Sequence, residues 1–142
     1  MCPVVVFDTN ILISGIIWRD PPYRCLEFAR AGQVEAVTCQ EILDELEEKL
    51  KARFGYSADR ATEAINDVLI FARLVTIANK LKIIAADPDD DKVLECAVEG
   101  QATHIVSGDR HLLSLDNFKG NAVVSAVDFL KQIPLSPNFR SP

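Results

Sequence analysis

Nowhere in this sequence do apolar residues approach the ~18 consecutive positions of a membrane span. No basic region precedes the first apolar run, which is itself too short for a signal peptide. The expectation is a cytoplasmic protein. Cysteine is sparse and scattered: Cys2, Cys25, Cys39 and Cys96 form no C-x-x-C pair. Histidine is scarcer still, with His104 and His111 standing seven apart and lacking the companions that a zinc site needs. Neither zinc nor a disulfide framework is expected, and the cysteines read as reduced, inert thiols. An excess of positive charge is also missing. The 21 acidic and 15 basic residues leave a net charge of −6, which argues against a general polyanion binder with a basic footprint. Nucleic acid stays open only if the acids gather around a metal that itself attracts phosphate.

What is present is the make-up of one globular domain. At 142 residues, with 49% hydrophobic and 25% charged, the chain is long enough to bury a real core. Its opening run, Val4-Val5-Val6-Phe7, is β-branched and shows no polar alternation. Such a run suits a strand buried on both faces of a parallel sheet. It ends in Asp8-Thr9-Asn10, where open α/β sheets bind their ligands.

From there helix and strand signals alternate. Asn10–Ile17 reads as a short helix capped by Thr9 or Asn10. Pro22 opens a helix over Tyr23–Ala31, and Val34–Val37 reads as a strand. Thr38–Lys51 carries a clear helical stripe of Ile42, Leu43, Leu46 and Leu50, and Thr38 with Glu41 has capping-box spacing. Glu45 and Glu47 fall on opposite borders of that stripe, while Asp44 and Glu48 face away. Ser57 starts a helix with Ala61, Ala64, Ile65, Val68, Leu69 and Ala72 inward, and Leu74–Ile77 reads as a strand. Lys82–Ala86 is an extended connection. The acidic turn 87–91 opens a helix that stops near Gly100. His104–Val106 is a second central strand, Arg110–Leu113 a short helix and Asn117–Asn121 a turn. Ala122–Val124 is a last strand and Ala126–Gln132 a last helix. The predicted architecture is a single α/β domain over 1–133 with a parallel sheet, followed by a Pro/Ser-rich tail over 134–142.

Two strands end alike, in Phe7-Asp8-Thr9-Asn10 and in Val106-Ser107-Gly108-Asp109. As neighbours in a parallel sheet they would open Asp8 and Asp109 on one edge. The 87–91 turn would join them if its helix starts at that edge, and Glu45 offers a fourth carboxylate, although periodicity does not separate it from Glu47. Two carboxylates ~4 Å apart repel by about 4 kcal/mol at an effective dielectric near 20. Such a cluster needs protons or a cation, and an all-oxygen donor set suits Mg²⁺ or Mn²⁺.

The segments VVVFDTNILISGII, TCQEILDELEEKL, DPDDDKVLECAVEG and ATHIVSGDRHLL, in this order and spacing, resemble PIN domains. They are most similar to the branch of toxin components of bacterial toxin–antitoxin pairs. The resemblance runs from about Pro3 to Ile133. It implies a three-layer α/β/α sandwich with a central parallel sheet, and a Mg²⁺- or Mn²⁺-dependent endoribonuclease acting on single-stranded RNA. Its acidic quartet carries over onto Asp8, Glu45, Asp91 and Asp109, with Asp90 as the alternative to Asp91. Asn10 matches a polar position that orients the first aspartate, and Ser107 a hydroxyl position that holds a metal water. Arg110 is the first candidate for a phosphate contact, ahead of Arg19, Lys92 and Lys119. An antitoxin partner and a homodimer are implied as well.

Two other readings compete. An aspartyl-phosphate phosphatase of the haloacid dehalogenase type would carry an aspartate where Asn10 stands and another where Leu113 stands. A catalytically inactive PIN-fold binding module would keep the fold without needing the four acids.

Overall fold

The computed structural model describes residues 2–78 and 88–133, with Pro88, Asp89 and Asp90 described by backbone only. The 82–86 connection and the 134–142 tail lie outside the described residues. In chain order, strand β1 (Val4–Phe7) leads into helices α1 (Thr9–Ile17) and α2 (Pro21–Arg30). Strand β2 (Glu35–Cys39) follows, then α3 (Gln40–Phe54), α4 (Ala58–Phe71) and β3 (Ala72–Val75). Helix α5 (Pro88–Glu99), β4 (His104–Val106), α6 (Arg110–Leu113), the hairpin β5 (Asn117–Phe118) and β6 (Asn121–Val124), and α7 (Ala126–Gln132) complete it.

The six strands lie in the order β3-β2-β1-β4-β6-β5. All neighbours are parallel except β5 against β6. Val5, Val6 and Phe7 are buried to 2% exposure or less, as a central strand covered on both faces requires. The expected α/β/α layering is therefore present, with an antiparallel hairpin edge where the sequence pattern alone suggests a plain turn. The reason is local: Lys119 (φ 48°) and Gly120 (φ 85°) are both left-handed, the backbone that closes a two-residue hairpin.

Tertiary pairing moves other boundaries. Thr38 was expected to cap the third helix, but β2 pairs with β3 as far as Cys39 opposite Val75. The ladder holds Thr38 in the strand, buried, and α3 begins at Gln40 without a side-chain cap. The first helix is capped by Asp8, whose Oδ1 accepts from the Ile11 N–H at 3.0 Å, rather than by Thr9 or Asn10. Leu69, inward-facing by periodicity, is 39% exposed. On α3 the stripe is as expected: Ile42, Leu43, Leu46 and Leu50 are buried. Gly55, at φ 69°, ends that helix in the left-handed backbone favoured by glycine.

Helices α1 and α2 pack closely because Gly15 lets them. A Cβ at Gly15 would stand 2.8 Å from Leu26 Cγ and 3.3 Å from the Pro22 carbonyl oxygen. Gly15→Ala is expected to destabilise the fold by about 1–3 kcal/mol through overpacking. Urea unfolding checks it; an unchanged midpoint would show that the helix pair yields without cost.

Candidate active site

The site is set by register. Phe7 lies opposite Val106 in the β1–β4 ladder, so the next residues, Asp8 and Ser107, emerge side by side. The Asp8 N–H donates to the Val106 carbonyl at 3.1 Å, fixing the strand end. From β1 the chain proceeds to one side of the sheet (β2, β3), and from β4 to the other (β6, β5). The crevice between β1 and β4 is thus the switch point at which open α/β sheets hold ligands.

Ser107 ties the two strand-end aspartates together. Its Oγ donates to Asp8 Oδ2 and accepts from the Asp109 N–H at 2.9 Å. Asp8 is only 5% exposed. Burial pushes its carboxyl above the usual range, and the negative charges of Asp109 and Glu45 add to that. The hydrogen bonds from Ser107 and the Ile11 amide pull the other way without overcoming it. Asp109 Oδ1 accepts from the N–H groups of His111 (2.8 Å) and Leu112 (3.3 Å), capping α6. Arg110 follows it on the surface, exposed.

Glu45 reaches the same crevice from α3, which starts where β2 leaves the sheet. Thr9 Oγ1 donates to Glu45 Oε1 at 2.7 Å. Lys92 Nζ lies 2.6 Å from Oε1, and Lys49 Nζ 2.9 Å from Oε2. Burial by itself would raise the Glu45 pKa. Lys92, Lys49 and Thr9 together outweigh it and hold the carboxyl down at about 2. Asn10 Oδ1 accepts from Lys49 at 3.3 Å, and Ser107 and the Ile11 amide hold Asp8.

Helix α5 brings the acidic turn in. Past its C-terminus, the Thr103 N–H donates to the Val4 carbonyl at the start of β1. Twelve residues at 1.5 Å each place the other end about 18 Å away, at the edge where the strands finish. Asp91 is there, 7% exposed, and the Lys92–Glu45 pair fastens the helix to α3. The side chain of Asp90 lies outside the description. Sequence reasoning passed over Glu95, one turn beyond Asp91 and also 7% exposed. It also missed Lys49, whose i,i+4 spacing to Glu45 was a legible signal, and cast Lys92 as a phosphate contact rather than as the partner of Glu45.

The structure thus draws Asp8, Asp109 and Glu45 close enough to repel, with Asp91 on the adjacent helix end. Among the described residues, no three His, Cys, Asp or Glu side chains stand at metal-holding distances. The donor set nevertheless fits a hard cation. It is all oxygen, and the charge on Asp8 is opposed by its surroundings, which a divalent ion would reverse. Lys92 and Lys49 offset the charge of Glu45.

Comparison with known proteins agrees with this fold. A family description, PIN domain, matches residues 4–111. No curated protein matches the sequence. Among solved structures, VapBC2 from Rickettsia felis, bound to a DNA fragment from their promoter, is similar at TM-score 0.59 and 15% identity, over 84% of this chain and 96% of that one. PAE2754 from Pyrobaculum aerophilum is similar at TM-score 0.57 and 13% identity, over 92% and 88%. The T. brucei RRP44 PIN domain gives 0.50 and 14%, over 92% and 80%. At these identities the structures speak for the fold. The family match covers well over half of the chain and spans the positions of Asp8, Glu45, Asp91 and Asp109, so this chain belongs to the PIN domain family, whose members are generally nucleases.

Proposed function

We propose that the chain is a Mg²⁺- or Mn²⁺-dependent endoribonuclease that hydrolyses phosphodiester bonds of single-stranded RNA, and that it is the toxin of a toxin–antitoxin pair. The observation that carries the reading is the strand-end arrangement of Asp8 and Asp109 joined through Ser107, with Glu45 across the crevice. Asp8, Glu45, Asp91 and Asp109 would hold the ion, which when bound supplies a water of lowered pKa and positive charge beside the scissile phosphate. Ser107 holds the Asp8 carboxylate through its hydroxyl and the Asp109 backbone through the amide. Thr9, Lys49 and Lys92 hold Glu45 ionised, and Arg110 at the rim meets a phosphate of the strand. The sequence resemblance supports the toxin role, an antitoxin partner and a homodimer, and the likeness to VapBC2 supports the toxin role and the antitoxin partner. Among the described residues no helix is long and apolar enough to cross a membrane.

The test is cleavage of a mixed-sequence single-stranded RNA by purified protein in Mn²⁺, in Mg²⁺ and in EDTA, beside calorimetric titration with Mn²⁺. The expected result is cleavage in either metal and none in EDTA. Equal cleavage in EDTA would remove the metal from the reading. Failure of both cleavage and Mn²⁺ binding would move the assignment to an inactive binding module.

A further inference from the structure

Helices α1 and α3 run side by side away from the carboxylates. Thr9 meets Glu45 at one end, and nine residues later in each segment Trp18, the C-cap of α1, meets Phe54, edge to face, with ring centroids 5.9 Å apart. At 1.5 Å per residue the ring pair stands about 13 Å from the site. Trp18 is 50% exposed and Phe54 37%. Two exposed aromatic rings against each other are an unusual use of surface, since either would gain by burial.

The charges around them differ from those elsewhere on this acidic chain. Arg30, Lys49, Lys51, Arg73 and Lys92 are each paired with a carboxylate. Two of the guanidiniums around the aromatic corner are held by rings instead. Arg19 lies 4.7 Å from the Tyr23 centroid and donates to its hydroxyl at 2.8 Å. Arg60 lies 4.0 Å from the Tyr56 centroid. Arg53, exposed, precedes Phe54 on the last turn of α3. Among the described residues none of the three has an ion pair, and only Asp20 and Asp59 adjoin them in sequence. Glu45, Lys49 and Arg53 recur every four residues, so one side of α3 leads from the carboxylates to the rings.

We propose that Trp18 and Phe54, flanked by Arg19, Arg53 and Arg60, form a stacking platform for unpaired bases of the RNA strand whose backbone enters the carboxylate site. The proposal rests on the ribonuclease reading and adds a binding element to it. Base–aromatic stacking needs an open ring face and tolerates any base, and guanidiniums beside it meet the phosphates. A strand held there spans the distance to the metal site along α3. A globally acidic protein thereby holds RNA through one local cationic, aromatic corner.

Trp18 is the sole tryptophan of the chain, so its fluorescence reports the platform directly. The full chain in EDTA is titrated with a twelve-nucleotide mixed single-stranded RNA and with a duplex of the same sequence. Saturable quenching by the single strand and little by the duplex is expected. Trp18→Ala should raise Kd, read by anisotropy of labelled RNA, about tenfold or more, and Trp18→Phe should restore most of it. Arg53→Ala should lower the slope of log K against log salt by about 0.7. In metal-dependent cleavage Trp18→Ala should raise KM with kcat at saturation kept. No quenching, or an unchanged Kd and KM in a folded Trp18→Ala, overturns the platform while leaving the nuclease standing. Quenching with no cleavage in either metal does the reverse. A Trp18→Ala variant that keeps its RNA affinity but loses self-association in sedimentation would assign the rings to a protein contact and likewise overturn the proposal.

Discussion

Asp8→Asn is expected to abolish metal-dependent RNA cleavage and, in metal-free protein, to raise the melting temperature by a few degrees. Removing one preorganised electrostatic group at a reacting phosphate lowers kcat by about 10²–10³, and loss of a metal ligand adds to that. The stability gain has a separate cause. The folded protein holds Asp8 above its ordinary pKa, through burial first and through Asp109 and Glu45. Folding therefore favours the protonated form. The stability associated with this group is fully present below 3.8 and is lost as pH rises through the raised folded value. At neutral pH the ionised carboxylate opposes folding unless a cation is bound. An asparagine keeps an acceptor for the Ile11 N–H and a partner for Ser107, and removes the charge. The advantage of the variant should accordingly shrink as pH falls toward 4, and Mn²⁺ should stabilise the wild type but not the variant. Thermal melts at several pH values, with and without Mn²⁺, check this. A variant that cleaves at the wild-type rate would remove Asp8 from the site, and one that melts lower than apo wild type would show that the charge is not opposed there.

Glu45→Gln is expected to lose cleavage as well, but with the opposite effect on stability. Glu45 is the common partner of Lys92 and Lys49, whose side chains are 12% and 20% exposed. Its removal breaks the contact between the Lys92 ammonium, near the start of α5, and α3. Exposed pairs are worth about 0–1 kcal/mol, and breaking a buried one costs about 3–5. A half-buried triad falls between them, so a loss of about 2 kcal/mol is expected. The sign with pH also reverses. Lys92, Lys49 and Thr9 hold Glu45 at about 2 against an ordinary value of 4.5, despite the burial that opposes them. This contribution is present above pH 4.5 and disappears as pH falls through 2. Chemical unfolding at pH 7 and pH 3 separates the cases: the gap between wild type and variant should be wide at pH 7 and narrower at pH 3. A gap of equal size at both would assign the loss to packing rather than to the ion pairs. Because α5 carries Asp91, loss of the Lys92–Glu45 contact should weaken Mn²⁺ binding beyond the loss of one ligand.

The sequence by itself determined the elements whose signals are local. Val4–Phe7 announces a central strand because a strand covered on both faces has no polar positions. The stripe of α3 announces a helix because four apolar residues repeat at its period. Ser57, Asp109 and Ser125 each cap the helix that follows them, and the bounds of β4, α6 and α7 are as expected. The carboxylates Asp8 and Asp109 were legible as strand-end residues for the same reason. What only the tertiary structure decided involves partners far apart in the chain. Thr38 stays in β2 because β3, 36 positions on, pairs with it, and that ladder outweighs a capping box worth about 1 kcal/mol. Glu45 and Glu47 border the same stripe equally, and only the meeting of α1, α3 and α5 puts Thr9 and Lys92 on Glu45. Ser107 meets Asp8 because the β1–β4 register sets the two strand ends side by side. Periodicity fixes which face a residue occupies; the partner across that face is fixed by packing of the whole chain.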